Sequence, residues 1–79
     1  MTSGQMRAAR AMLDWSQTKL AEQSGVSVET IKRLERMDGA IEATKVSTLD
    51  AIEKALSGAG IEFTNGDEPG VKLRAKRKR

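Results

Sequence analysis

Apolar residues recur along the first sixty positions at intervals of three and four, interrupted where small or turn-forming residues cluster. Met6, Ala9 and Leu13 share one side of a helix predicted over residues 4–13, with Thr2 or Ser3 available as its cap. The next set, Leu20, Val26, Ile31 and Leu34, lies within WSQTKLAEQSGVSVETIKRLER, residues 15–36. That stretch reads as two short helices joined by a tight turn. Ser16 caps a helix starting at Gln17, and Trp15 and Leu20 occupy the two positions of a hydrophobic staple. Ser27 caps a helix starting at Val28, where Val26 and Ile31 repeat the staple. Gly25 supplies the backbone freedom of the turn, and Ala21 is the small residue at the closest approach of the two helices. The second helix should stop near Met37, because Asp38-Gly39 follows. Residues 38–45 form a connection with a single helical turn around Ile41. Ser47 with Asp50 gives a capping-box-like start to a last helix, whose inward stripe is Leu49, Ile52, Ala55, Leu56 and Ala59 and which Gly58 and Gly60 end.

Beyond residue 60 the period changes to two. Ile61-Glu62-Phe63-Thr64 and Val71-Lys72-Leu73-Arg74 alternate apolar and polar around the turn-rich NGDEPG, which predicts a β-hairpin. A lone hairpin is marginal in water, so it must lean on the helices or pair with a second chain. Three segments follow: a helical bundle over 1–60, the hairpin over 61–74 and a disordered basic tail over 75–79. The fold class is mainly α with a short C-terminal hairpin.

The central two-helix unit has the form of a helix-turn-helix, whose second helix is laid in the major groove of DNA. An ordinary helical hairpin that only builds a core is the alternative. It has no reason to combine a small residue, a glycine and two staples in this order. Ile31 and Leu34 face inward, which leaves Val28, Glu29, Lys32, Arg33 and Arg36 outside. Arg33 is placed to fork onto guanine N7 and O6, Glu29 to accept from a cytosine amino group, and Val28 to touch a thymine methyl. Thr30 is open between base, phosphate and packing. Glu29 and Arg33 are also spaced as a surface ion pair worth only about 0.3–0.5 kcal/mol. Lys32 counts among the base-facing residues, although it and Arg36 suit phosphate better. Gln17, Thr18 and Lys19 sit where the positive end of the first helix favours a phosphate, and Ser27 caps the second helix. Arg7 and Arg10, off the apolar side of the N-terminal helix, are either phosphate contacts or a solvated face.

Charge sharpens this picture more than the total suggests. The 79 residues carry a net charge of +3, but KLRAKRKR at 72–79 holds six basic groups and no acidic one. Removing those six from the 14 basic residues leaves eight against 11 acidic ones, a body of net −3. Six of those eight, Arg7, Arg10, Lys19, Lys32, Arg33 and Arg36, fall in or just before the two-helix unit. The tail suits non-specific phosphate attraction through counterion release, or serves only solubility.

Chemistry is constrained by absence. With no cysteine or histidine, nucleophiles and bases reduce to carboxylates, lysine and hydroxyls, and no pair of these has the setting of an active site. A chain of 8.6 kDa has little room for a substrate cavity, so an enzyme is not expected. No cofactor is expected, scattered carboxylates form no metal site, and no apolar run reaches the length of a membrane span.

WSQTKLAEQSGVSVETIKRLE and the later VSTLDAIEKAL resemble the lambda-repressor-like, Xre-type helix-turn-helix regulators of bacteria and their phages. AGIEFTNGDEPGVKLR is similar to the short tail of a small single-domain subgroup. The resemblance implies a bundle of four or five helices that binds operator DNA as a dimer in the bacterial cytoplasm, at the nucleoid. It gives Gln17 a phosphate contact and a brace against the recognition helix, and gives Val28, Glu29, Lys32 and Arg33 the outward positions. The linker GAIEATK departs from many relatives in being less basic and less proline-rich. Two copies on a near-palindromic double-stranded site would set recognition helices about 34 Å apart. Ile61, Phe63, Val71 and Leu73 are candidates for the dimer contact, and the face of the last helix is the other. The acidic body and the hairpin also fit a protein-binding role of the antitoxin or antiactivator kind.

Overall fold

The computed structural model describes residues 1–37, 45–64 and 70–74. Four helices precede an antiparallel hairpin: α1 is Ser3–Leu13, α2 Gln17–Ser24, α3 Val28–Arg36, α4 Val46–Gly58, β1 Ile61–Thr64 and β2 Gly70–Leu73. The helix suggested around Ile41, the Asp38-Gly39 stop, the hairpin's turn and the tail from Ala75 lie outside the described residues.

Local capping sets the helix starts. At α1, Thr2 Oγ1 accepts from the Gln5 amide at 3.0 Å while Gln5 Oε1 accepts from the Thr2 amide at 2.8 Å. This reciprocal box starts the helix at Ser3, one residue before the point that periodicity marks. Ser16 Oγ accepts from the Lys19 amide at 2.9 Å and Ser27 Oγ from the Thr30 amide at 3.2 Å, so both expected caps of the central unit form. Helix α4 differs. It begins at Val46 after Lys45, with no side-chain cap. Thr48 and Leu49 donate their amides to the Lys45 carbonyl, bonds that a start at Ser47 would forfeit.

The turn between α2 and α3 is made by Gly25, at φ 78°, whose amide closes α2 on the Ala21 carbonyl at 2.8 Å. A Cβ there would meet nothing within 4 Å, so the conformation alone penalises substitution. Gly25→Ala should therefore lower stability by about 1–2 kcal/mol, and Gly25→Asn by less. Chemical denaturation of the two variants checks that order.

Helix α3 ends without a left-handed residue, because Met37 is extended at φ −66°, ψ 154°. Its terminal carbonyls are taken by α1 instead: Ser3 Oγ donates to Met37 O at 2.7 Å, and Arg7 Nη1 donates to Glu35 O.

Met6 and Ala9 of α1, Leu20 of α2, Ile31 and Leu34 of α3, and Ile52 and Leu56 of α4 are all fully buried in one cluster. Ile61 of β1 joins it at 1 % exposure. The hairpin therefore completes the helical core. Its register pairs Ile61 with Leu73 and Phe63 with Val71. Gln5, already half of the α1 capping box, donates through Nε2 to Thr64 O at 3.1 Å and Gly70 O at 2.9 Å. At the other end, the Arg74 amide donates to Gly60 O and its guanidinium to Ser57 O.

Candidate nucleic-acid interface

Apolar positions 31 and 34 pull one side of α3 into the core, and the helical period turns 29, 32, 33 and 36 to solvent. Glu29, Lys32, Arg33 and Arg36 are exposed, with Arg33 engaged in an interaction of its own. Val28 and Thr30 are half-buried at the leading end. The Ser27 hydroxyl donates to Thr30 Oγ1 at 2.9 Å, which ties these two side chains together across the first turn. Thr18 and Lys19 are exposed at the start of α2 and Gln17 is half-buried beside them. The amides of Gln17 and Thr18 have no acceptor among the described residues, as the first turn of a helix requires.

Behind this surface lies a polar centre that sequence reasoning missed. Glu35 stands four residues after Ile31 and beside Leu34, on the inward side of α3, and its side chain is 4 % exposed. Arg10 reaches it from α1 with a two-pronged contact, Nε to Oε2 at 2.7 Å and Nη2 to Oε1 at 2.8 Å. Arg10 Nη1 also donates to Trp15 O at 3.0 Å. Gln17 adds a third donor from α2, Nε2 to Oε1 at 3.0 Å. A single carboxylate thus joins α1, α2 and α3. The signal for it was a glutamate at a stripe position, where an unpaired charge is not tolerated.

This placement turns Arg10, expected as either a phosphate contact or a solvated side chain, toward the interior of the protein. Its fork is turned inward because Glu35 is buried and needs a counter-charge. Arg7 remains exposed while serving the end of α3. The hairpin candidates divide. Ile61 belongs to the chain's own core, Phe63 and Val71 are half-buried against that core, and Leu73 is 48 % exposed. Among the described residues no cluster of acidic side chains is grouped to hold a metal, and no helix is long and apolar enough to cross a membrane.

Residues 6–58, from the start of the α1 stripe to the end of α4, match a family model described as helix-turn-helix. No curated protein matches the chain.

Proposed function

Because the chain belongs to the lambda-repressor-like, Xre-type helix-turn-helix family of DNA-binding regulators, we propose that it is a sequence-specific transcriptional regulator. It lays α3 in the major groove and binds a near-palindromic operator as a homodimer. The observation that carries this reading is the outward face of α3, where Glu29, Lys32, Arg33 and Arg36 are exposed while Ile31 and Leu34 anchor the helix behind them. Arg33 takes a guanine edge and Glu29 a cytosine amino group, with Val28 and Thr30 at the leading end. Lys32 and Arg36 flank them toward phosphates. Gln17, Thr18, Lys19 and Ser27 lie at two helix starts, where main-chain amides favour an anion.

Selection of bound duplexes from random DNA, followed by titration at several salt concentrations, tests the proposal. One half-site pair at fixed spacing is expected, and no enriched sequence would refute it. Arg33→Ala should weaken the best site by about 1–3 kcal/mol and relax preference at one position. Deleting residues 75–79, which removes Lys76, Arg77, Lys78 and Arg79, should weaken all DNA alike and flatten the salt dependence.

A further inference from the structure

No left-handed residue folds the chain back over the last carbonyls of α3, because Met37 is extended. Two of those carbonyls are held from α1, Met37 O by the Ser3 hydroxyl at 2.7 Å and Glu35 O by the Arg7 guanidinium. Ser3 is 2 % exposed, and its place at the head of α1 is fixed by the box that Thr2 and Gln5 make around it. Gln5, 3 % exposed, is spent in full. Its oxygen accepts from the Thr2 amide, and its nitrogen donates to Thr64 O and Gly70 O, which face each other in the hairpin ladder. Releasing the hairpin would strip both partners from a buried donor and disturb the box that seats Ser3. Hairpin, box and the end of α3 thus form one series of contacts. Thr2, Ser3, Gln5 and both strands lie outside the matched residues 6–58, so the series ties the helix-turn-helix unit to segments beyond it.

We propose that the docked hairpin, acting through Gln5 and Ser3, holds the C-terminal end of α3 in the position from which Arg36 meets DNA. Gln5 and Ser3 are positioning residues that do not themselves touch DNA. The inference rests on the proposed function, which lays α3 in the major groove. It goes beyond that reading by making binding depend on a strap outside the helix-turn-helix unit. The coupling is reciprocal: whatever frees the hairpin loosens the end of α3, and DNA on α3 firms the hairpin.

The test joins amide hydrogen exchange of the free full chain to its affinity for the duplex it selects from random DNA. Gln5→Glu keeps an acceptor for the Thr2 amide and removes both donors to the hairpin. Exchange should quicken about tenfold at the Arg74 amide, which bonds Gly60 O, and at the Met37 amide, which bonds Leu34 O. Ser3→Ala should quicken Met37 alone, because it cuts the series beyond Gln5. Amides in the middle of α2 and α4 should keep the parent's rates in both variants. Each variant should weaken the selected duplex about threefold to tenfold, and the double variant no more than about twofold further, since both cut one series. Uniform quickening at every amide would show support for the whole fold and nothing more specific. That outcome, a Met37 amide unmoved by Gln5→Glu, an unchanged affinity, or affinity losses that multiply overturns the inference. If Gln5→Glu does not fold, the reverse direction decides. The duplex should slow exchange at Arg74 in the parent, and Ser3→Ala should remove most of that slowing. Slowing left intact in Ser3→Ala, or none in the parent, overturns the inference as well. Failure of the parent to select any duplex overturns the function instead, so the two failures are distinct.

Discussion

Arg10→Leu on its own should unfold much of the chain at temperatures where the parent is native, with a loss of about 3–5 kcal/mol. The substitution leaves the Glu35 carboxylate 4 % exposed and holding only the neutral Gln17 amide among the donors described. A domain of this size has on the order of 4–12 kcal/mol in hand, so most of the stability is at stake. The melting midpoint should fall by roughly 15–30 °C. Glu35→Leu should do less harm. Arg10 is 20 % exposed and keeps the Trp15 carbonyl, so its charged end has a route to water. Removing both charges should return the midpoint close to the parent's, because a buried ion pair and a well-packed apolar pair of similar volume are often equivalent. Differential scanning calorimetry on the four proteins checks the ranking. If Arg10→Leu melts with the parent, the contact is an ordinary surface pair.

The same centre shows which parts of this fold were legible in the sequence. The span from Trp15 to Arg36 was readable because each requirement in it is local. Caps, staples and the Gly25 turn are satisfied within about five residues, so spacing alone locates them. The hairpin was readable for the same reason, since period-two alternation around turn formers marks two short strands, although β2 begins at Gly70, one residue earlier than the alternation indicates. Glu35, Gln5, Ser3 and Arg7 were not. Their partners on other elements lie 18 to 65 residues away, and no periodicity relates positions across that distance. Arginines are mostly exposed, which made Arg10 look like a surface group until its partner was in view. The start of α4 was misplaced by a different effect: main-chain hydrogen bonding to Lys45 outweighs a favourable side-chain cap at Ser47.

The hairpin's two outer partners, Ile61 and Leu73, face each other in register yet should respond to substitution in opposite ways. Ile61 is 1 % exposed within the buried cluster of the helices, so Ile61→Ala should cost about 2–4 kcal/mol through lost burial and the cavity left behind. That loss should appear at every protein concentration, because the contact lies within one chain. Leu73 is 48 % exposed, and Leu73→Ser should move stability by about 0.5 kcal/mol or less in a dilute monomer. If β2 carries a dimer contact, the same change should instead shift the association constant and weaken operator binding while the monomer's melt is preserved. Melts across a range of protein concentrations, paired with sedimentation, separate the two. A concentration-independent loss of several kcal/mol from Leu73→Ser would show that this side chain serves the core, and the dimer contact would then have to be sought on α4.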